Sequence, residues 1–295
     1  MTRILALLGP TATGKTAIAI DLAERRGIPI VSVDSMQVYR GLDIGTAKPT
    51  AAEQQRVPHR MIDLVEPEYE YSVAEFQTEA RRLIQREEEV LIVGGSGLHF
   101  RSIVDPLEFP PTDAGLRAEL EALENPVSVL VGADPGAGEL VDLANPRRVV
   151  RALEVLQLTG LTPSARYEQE SRRQFDNYVP LYEFSAVGLD PGPLVAERIR
   201  IRIEGMRNAG WWEEVEGLRG KLGRTARGAV GYRELAAAQC GHRDPETVWE
   251  DIATASERLV RRQRTYFRRD PRIRWIGWDA DGNVRTRMIS EAFGL

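Results

Sequence analysis

The segment Gly9-Pro-Thr-Ala-Thr-Gly-Lys-Thr16 matches the pattern G-x-x-x-x-G-K-[ST] of a phosphate-binding loop. The short apolar run Arg3 to Leu8 precedes it, and apolar residues at helical spacing follow it through residues 16–26. Between a strand and a helix, the glycines let consecutive backbone N–H groups face phosphate oxygens, and the helix N-terminus adds the positive end of its dipole. The segment therefore predicts a site for a diphosphate or triphosphate.

The following residues repeat this rhythm of strand, loop and helix. Apolar strands are predicted at Pro29 to Val33 and at Val90 to Val93. Between them, Ser72-Val-Ala-Glu75 is a capping box that opens a helix to about Glu88. Buried strands separated by helices are typical of a parallel sheet covered on both faces. The sequence therefore predicts an α/β fold.

The composition changes after Phe109-Pro110-Pro111. Residues 113–182 are predicted to be mostly helical, with one helix from Asn145 to Leu158 and a candidate short strand at Val127 to Val131. We interpret this stretch as a helical insertion in the sheet domain.

A strand from Glu183 to Leu189 is predicted to return to the sheet. Helices are expected at about residues 191–208 and 211–222. A long helix to about Arg269 should open at Asp244-Pro245, an N-cap followed by proline at the first helical position. The predicted core thus consists of residues 1–112 and 183–295.

The composition excludes several classes of protein. The 295 residues are 42% apolar with a net charge of −5, which predicts a folded chain rather than a disordered one. The single Cys240 cannot form an internal disulfide, and one thiol with three histidines cannot build the usual structural zinc site. The N-terminal apolar run is too short for a signal peptide, and no stretch approaches the ~20 apolar residues of a membrane helix. We therefore expect a cytoplasmic protein without a membrane partner.

Four side chains are candidates for chemistry. In the loop, Lys15 supplies a mobile charge and Thr16 a hydroxyl for Mg²⁺. Asp34 follows the second predicted strand, and ligands of open α/β sheets bind beyond the carboxyl ends of the strands. It is therefore expected beside the loop as a general base or a Mg²⁺ partner, with a cap or turn residue as the alternative. Ser96 ends another strand on this edge, and either touches the same ligand or belongs to a simple turn.

A second motif for ATP hydrolysis, an acidic residue that ends a longer apolar run, is not apparent. The nearest candidate is Asp63, after Met61-Ile62, and it fits poorly. The sequence therefore suggests that a diphosphate is a leaving group rather than a fuel.

The arginines form three clusters. Arg147 and Arg151 share a helix face, and a second helix begins with Arg198, Arg200 and Arg202. The third cluster is interleaved with Tyr266, Phe267 and Trp275, and consists of Arg258, Arg261, Arg262, Arg264, Arg268, Arg269, Arg272 and Arg274. Because bases stack on aromatic rings while arginine binds phosphate, this pattern favours nucleic-acid binding. Solvated, salt-bridged helix faces are the alternative.

Several segments together resemble one family, the tRNA dimethylallyltransferases, over nearly the whole chain. The most specific is Asp34-Ser-Met-Gln-Val-Tyr-Arg-Gly-Leu-Asp-Ile-Gly-Thr-Ala-Lys-Pro49, which follows the phosphate loop. The others are Pro58-His-Arg60, Tyr71-Ser-Val-Ala-Glu-Phe76, Gly94-Gly-Ser-Gly-Leu98, Arg151-Ala-Leu-Glu-Val155 and Val230-Gly-Tyr-Arg233. Ser96 and His99 depart from the family pattern, since relatives often have Thr and Tyr there.

The resemblance implies a P-loop NTPase-like core with a helical insertion, in a monomeric enzyme. Its members transfer the dimethylallyl group of dimethylallyl diphosphate to N6 of adenosine 37, beside the anticodon of tRNAs that read codons starting with U. By resemblance, Asp34 would be the general base on N6, Arg202 would face the diphosphate, and Thr16 would hold the cofactor Mg²⁺. The diphosphate would contact the loop residues Gly9, Pro10, Thr11, Ala12, Thr13, Gly14, Lys15 and Thr16.

The resemblance also implies contacts with the anticodon stem-loop of tRNA. The implied residues are Asp34, Ser35, Met36, Gln37, Ser96, Arg117, Arg147, Arg148, Val149, Val150, Arg151, Gly228, Ala229, Val230, Gly231, Tyr232 and Arg233.

Three other functions stay open from the residues alone. A small-molecule or nucleotide kinase would use the same loop for ATP, and an isopentenyltransferase could act on free adenine nucleotides. A non-catalytic RNA-binding protein could keep a relict nucleotide site. A kinase should turn over ATP, a free-nucleotide transferase has no use for the insertion or the arginine-rich helix, and a relict binder makes no product.

Overall fold

Six strands form the central sheet of the structure, a computed structural model that describes residues 2–277 and 281–295. They are β1 Arg3–Leu8, β2 Ile30–Ser32, β3 His59–Arg60, β4 Glu89–Gly94, β5 Phe184–Leu189 and β6 Ile273–Ile276. Their spatial order is β3-β2-β4-β1-β5-β6, and every neighbouring pair is parallel. The predicted parallel sheet is confirmed. The sequence did not indicate β3, which has two residues, or β6, which lies within the third arginine cluster.

The described residues form the following helices: α1 Lys15–Arg26, α2 Ala51–Arg56, α3 Val73–Ile84, α4 Gly97–Val104, α5 Ala114–Glu121, α6 Pro126–Ala133, α7 Ala137–Leu140, α8 Pro146–Thr159, α9 Pro163–Tyr167, α10 Glu170–Asp176, α11 Val195–Asn208, α12 Trp211–Gly217, α13 Tyr232–Gln239, α14 Val248–Arg268 and α15 Gly282–Phe293. None of them is both long enough and apolar enough to cross a membrane.

Helices cover both faces of the sheet because both faces of its strands are apolar. On β1, Ile4, Ala6 and Leu8 belong to one core, and Leu5 and Leu7 belong to the other. The first core includes side chains of α3, α4 and α11 to α14, and the second includes side chains of α1 and α15. The carboxyl ends of the strands are left to form a site at one edge of the sheet.

The chain divides into two compact units. One contains the sheet and consists of residues up to Val104 and from Tyr182 onward, and the other is Asp105–Leu181. The second unit contains α5 to α10 and has a small core of its own, with Leu130, Val149 and Leu153 fully buried or nearly so. The sequence prediction for this insertion was residues 113–182.

Two sequence predictions of local structure were wrong. Residues 127–131 lie in α6 rather than in a strand, because Pro126 occupies the first turn and the Asn125 side chain accepts a hydrogen bond from the Ser128 N–H. The long helix α14 begins at Val248 rather than after Asp244. Asp244 instead accepts a hydrogen bond from the Glu246 N–H at 2.9 Å, which forms a local turn before the helix.

Candidate active site

The phosphate loop joins β1 to α1, and its backbone requires two of its glycines. Gly9 has a φ of 144°, and a Cβ there would lie 2.7 Å from the carbonyl oxygen of Leu189. Gly14, directly before α1, has a φ of 76°. Other residues rarely adopt these angles, so glycine is needed at both positions. The chain thus makes the tight turn into a helix N-terminus that suits an anion.

Lys15 folds back over the loop. Its Nζ donates to the Pro10 carbonyl oxygen at 2.6 Å and to the Thr13 hydroxyl at 3.3 Å, and this hydroxyl donates to the same carbonyl at 2.9 Å. Burial, reinforced by the charge of Arg202 and opposed by that of Asp34, lowers the pKa of Lys15 to about 7. Near neutral pH, the ammonium therefore lies close to the balance between its charged and neutral forms.

Asp34 lies at the carboxyl edge of the sheet, two residues beyond β2. Its Oδ1 accepts a hydrogen bond from the Met36 N–H at 2.9 Å, which orients the carboxylate. Arg202 comes from α11; burial lowers the pKa of its guanidinium, and the charge of Asp34 opposes this effect. Asp34 therefore acts electrostatically on both Lys15 and Arg202, and one site combines a carboxylate with two cations.

These groups line a single cavity of about 440 Å³. It brings together the predicted residues Thr11 to Thr16, Asp34, Gln37 and Arg202. It also contains six polar residues to which the sequence analysis assigned no role: Ser32, Thr46, Lys48, Glu53, His59 and Gln263. Its volume lies in the range of small-molecule sites. Thr46, Lys48 and His59 lie in segments that carry the family resemblance, whereas no local motif marks Ser32, Glu53 and Gln263.

A smaller cavity of about 60 Å³ shares Thr11 and Arg202 with the first. The rest of its lining is mostly apolar and consists of Gly45, Ile199, Ile203, Met206, Trp211, Val230, Ser256 and Leu259. An apolar recess therefore lies beside the phosphate loop and Arg202.

Side chains from three helices also contact the loop. The Thr11 N–H donates to Gln263 Oε1 of α14 at 3.0 Å. The Ala12 carbonyl accepts a hydrogen bond from Arg198 Nε of α11 at 3.0 Å, and the Thr13 carbonyl accepts one from Arg285 Nη1 of α15 at 3.3 Å. The loop motif gives no signal for these contacts, because each partner lies more than a hundred residues away.

Gln37 has a structural role within the site. Its Nε2 lies 3.2 Å from the Thr46 carbonyl and 3.3 Å from the Ala47 carbonyl, and its Oε1 accepts a hydrogen bond from the Ser32 hydroxyl at 2.8 Å. The side chain thereby ties residues 46 and 47 to β2. The adjacent Ser35 and Met36 are partly exposed.

Ser96 follows β4, and its hydroxyl lies 2.7 Å from Nδ1 of His99. The His99 ring packs edge-on against Phe76 with the ring centroids 4.6 Å apart. Burial lowers the pKa of His99 to about 4, so the ring is neutral at physiological pH. His99 therefore supplies packing and one hydrogen bond to Ser96 rather than a positive charge.

The segment 228–233 is divided between surface and core. Gly228 and Arg233 are exposed and Val230 is partly exposed, whereas Ala229 and Gly231 are buried. The Tyr232 side chain is fully buried, and its hydroxyl donates to Glu214 Oε1 at 2.6 Å.

Glu214 in turn accepts hydrogen bonds from the backbone N–H groups of Asp43, Ile44 and Gly45, at 2.7 to 3.2 Å. The buried hydroxyl therefore supports the turn at residues 43–45. The side chain of Tyr232 is a core contact, so an RNA contact by this segment must come from its exposed residues.

In the insertion unit, two arginines that were predicted to contact tRNA form ion pairs with a buried carboxylate. Glu154, which is fully buried, pairs with Arg117 at 3.0 Å and with Arg151 at 2.7 Å, and it accepts a hydrogen bond from the Asp113 N–H at 2.8 Å. Burial raises the pKa of Glu154, but these hydrogen bonds and charges outweigh it and lower the pKa overall. Arg117 and Arg151 therefore stabilise the unit itself.

The remaining residues of the segment 147–151 are divided between the surface and the core of the unit. Arg147 and Arg148 are exposed, and Arg148 lies 3.3 Å from Asp142. Val149 and Val150 are buried in the core of the unit. An RNA-contacting surface in this segment would therefore be formed by its arginines and not by its valines.

The third arginine cluster is partly neutralised within the protein. Arg264 and Arg268 both pair with Asp190, at 3.1 and 2.5 Å, and Arg272 pairs with Asp270 at 2.6 Å. Arg268 also lies over the Trp275 ring, 4.4 Å from its centroid. The cluster also contains exposed arginines that a ligand could reach. They are Arg258, Arg261, Arg262, Arg269 and Arg274.

The donors for a metal ion are few. Within residues 2–277 and 281–295, no group of three or more His, Cys, Asp or Glu side chains could hold a metal. Thr16 is exposed in the first turn of α1, and Asp34 lines the same cavity. Mg²⁺ commonly keeps several waters and binds through one or two protein oxygens and substrate phosphates. The residues present fit such a substrate-dependent site.

Comparisons with known proteins agree on one family. A family model described as IPP transferase matches residues 37–270. The tRNA dimethylallyltransferase of Bifidobacterium longum is 41% identical over 290 residues, which cover 93% of this chain and 86% of that protein. The one of Streptomyces coelicolor is 40% identical over 301 residues, which cover 97% of this chain and 94% of that protein.

Solved structures have the same fold. The tRNA isopentenylpyrophosphate transferase of Bacillus halodurans aligns with a TM-score of 0.71 and 32% identity, covering 100% of this chain and 97% of that chain. A eukaryotic dimethylallyltransferase acting on tRNA aligns with a TM-score of 0.81 at 23% identity, covering 99% of this chain and 79% of that chain. The predicted P-loop NTPase-like sheet flanked by helices is thus confirmed. The chain belongs to the tRNA dimethylallyltransferase family of prenyltransferase enzymes.

Proposed function

We propose that this protein transfers the dimethylallyl group from dimethylallyl diphosphate to N6 of adenosine 37, next to the anticodon of tRNAs that read codons starting with U. The products are N6-(dimethylallyl)adenosine and diphosphate. The observation that carries the proposal is the single cavity in which the phosphate loop, Arg202 and the Asp34 carboxylate meet. We also infer that the protein works in the cytoplasm and as a monomer.

The cavity suits departure of a diphosphate. As the C–O bond to the allylic carbon breaks, negative charge builds on the departing oxygens and positive charge on the allyl fragment. Lys15, Arg202 and the loop amides are placed to stabilise this negative charge. The Thr11 N–H already donates to Gln263, so the amides of the rest of the loop carry this role.

Thr16 would hold Mg²⁺ together with the diphosphate oxygens, and Asp34 and Glu53 are carboxylates that line the same cavity. When bound, the ion would neutralise part of the charge on the leaving diphosphate. The exposed hydroxyl at the start of α1 is the feature of this chain that supports the assignment.

The apolar recess beside Thr11 and Arg202 suits the hydrocarbon part of the donor. Ile203, Met206 and Leu259 line it, while the two residues that it shares with the main cavity belong to the proposed diphosphate site. A donor with a charged head and an apolar tail would thus have both parts accommodated.

Asp34 is the proposed general base. The N6 amino group of adenine is a poor nucleophile because its lone pair is delocalised into the ring. A carboxylate aligned on its N–H must therefore take the proton as the new bond forms. The hydrogen bond from the Met36 N–H holds the carboxylate in place for this step. To reach Asp34, the adenine must be flipped out of the anticodon loop, at a cost of a few kcal/mol.

Exposed arginines supply contacts to the RNA backbone in each unit. In the insertion these are Arg147 and Arg148, and in the sheet unit they include Arg233 and the exposed part of the third cluster. Phosphate contacts and base stacking would offset the cost of unstacking.

The test is to incubate the protein with labelled dimethylallyl diphosphate, Mg²⁺ and either unmodified tRNA or AMP. Label is expected in tRNA, and a matched transcript with guanosine at position 37 should stay unlabelled. Transfer to AMP instead of tRNA would indicate a free-nucleotide transferase. Turnover of ATP without prenyl transfer would indicate a kinase, and tRNA binding without product would indicate a relict binder.

A further inference from the structure

Two arginines from different helices donate hydrogen bonds to carbonyl oxygens of the phosphate loop. Arg198 of α11 donates to the Ala12 carbonyl at 3.0 Å and also to the Pro191 carbonyl. Arg285 of α15 donates to the Thr13 carbonyl at 3.3 Å. The helix α15 lies beyond residues 37–270, the part of the chain that the family model matches. The loop motif therefore depends on side chains that the motif does not contain.

Peptide geometry links these contacts to the loop amides. In a trans peptide, the carbonyl of one residue and the N–H of the next point in opposite directions. A donor held on the Ala12 carbonyl therefore fixes the direction of the Thr13 N–H, and a donor on the Thr13 carbonyl fixes that of the Gly14 N–H. Ala12 has a φ of 61°, which is unfavourable for a residue with a side chain. This part of the loop accordingly needs support from outside.

The arrangement also brings like charges together. Burial lowers the pKa of Arg198, and the charge of Arg285 lowers it further. Two neighbouring guanidinium groups repel each other, and a bound anion in front of the loop would relieve this repulsion. The position of both groups at one loop therefore favours the anion-bound state over the empty one.

We propose that Arg198 and Arg285 are positioning residues that aim the Thr13 and Gly14 N–H groups at a diphosphate, which makes α15 part of the diphosphate site. The inference rests on the proposed function for the identity of this ligand. It does not require that transfer to tRNA takes place.

Calorimetric binding of inorganic diphosphate, with Mg²⁺ and the full-length protein, tests this inference. Arg285→Met is expected to weaken binding about 10-fold, because a charge-assisted hydrogen bond that orients the loop is lost. Arg287→Met is the matched control, since Arg287 is exposed on the same helix and should leave the affinity unchanged. On α11, Arg198→Met and the exposed Arg200→Met form a second pair with the same expectation.

Steady-state kinetics separate positioning from general stability. In Arg285→Met, the KM for dimethylallyl diphosphate should rise while the KM for tRNA stays unchanged, and Arg285→Lys should recover part of the diphosphate affinity. If Arg285→Met melts at a lower temperature than the wild type, the Lys variant decides: restored affinity supports the proposal, and a loss as large as that of Met overturns it.

Unchanged diphosphate affinity in both Arg285→Met and Arg198→Met would also overturn the proposal, as would equal losses in the control variants. A wild-type protein that binds diphosphate with these variant effects but does not prenylate tRNA would contradict the proposed function alone.

Discussion

The phosphate loop and the arginine-rich surfaces both carry positive charge, but they hold it differently. Lys15 in the loop donates to neutral oxygens, and burial lowers its pKa to about 7. On the surfaces, Arg117 and Arg151 pair with Glu154, and Arg264 and Arg268 pair with Asp190. A cation on neutral acceptors can exchange them for an incoming anion at little cost, whereas a cation paired with a buried carboxylate must first give up a stronger, charge-assisted hydrogen bond. The comparison distinguishes a cation that can bind a ligand, Lys15, from arginines that stabilise the fold.

The largest effect should come from removing the carboxylate that shares the loop site. Asp34→Asn keeps an oxygen for the Met36 N–H but cannot take the proton from N6. Turnover should fall by about two to four orders of magnitude, the usual range for a lost general base, while tRNA affinity stays nearly unchanged. Single-turnover assays and filter binding measure the two quantities. Asp34→Ala should behave alike, and comparable turnover in either variant would remove the base assignment.

The next effect concerns the proton on Lys15. Above pH 7 the empty site holds neutral Lys15, because its pKa is lowered to about 7, yet a bound diphosphate favours the charged form. Binding must then take up a proton, so the affinity for dimethylallyl diphosphate should fall as pH rises above 7, by at most about 10-fold per pH unit. Below pH 7, Lys15 is already charged and contributes no further change.

Lys15→Arg is the control for this pH dependence, because arginine stays charged throughout the range. Calorimetry of both proteins from pH 6 to 9 separates the titration of Lys15 from that of the diphosphate. Parallel pH profiles in the two proteins would show that Lys15 is not the group that titrates.

The sequence predicts the loop site better than the surfaces, for a physical reason. The turn from Gly9 to Thr16 is encoded within eight residues, so its position and the edge occupied by Asp34 follow from local pattern and strand order. The partners of Arg151 and Arg268 depend on where Glu154 and Asp190 lie in the folded chain. A cluster of arginines in the sequence does not specify those partners. For the same reason, the sequence did not indicate the contact between Gln263 and Thr11, which are 252 residues apart.

Within the insertion, two arginines of one helix allow a direct test of the difference between a structural and a ligand-binding arginine. Arg151→Met removes a partner of buried Glu154 and two hydrogen bonds to the Pro110 and Pro111 carbonyls, so the free energy of unfolding should fall by about 1 to 3 kcal/mol. Arg147→Met should leave stability unchanged, because Arg147 is exposed. It should weaken tRNA binding and reduce the slope of log affinity against log salt by about 1.

Urea denaturation and filter binding at several salt concentrations measure these effects. The assignment of this segment to RNA binding fails if Arg147→Met leaves the salt slope unchanged.

The smallest effect is expected at Tyr232, where the resemblance implies an RNA contact but the side chain is in the core. Tyr232→Phe removes the hydroxyl that donates to Glu214, which keeps its bonds to the backbone at residues 43–45. The free energy of unfolding should fall by about 1 kcal/mol with tRNA affinity unchanged. Arg233→Met, one residue on, is the matched comparison and should weaken tRNA binding, because its side chain is 70% exposed; loss of its ion pair with Glu234, 2.8 Å away, should lower the free energy of unfolding by at most about 1 kcal/mol. Denaturation and filter binding distinguish the two variants. Weaker tRNA binding by Tyr232→Phe at unchanged stability would mean that RNA reaches this hydroxyl, and that the burial of Tyr232 is relieved when tRNA binds.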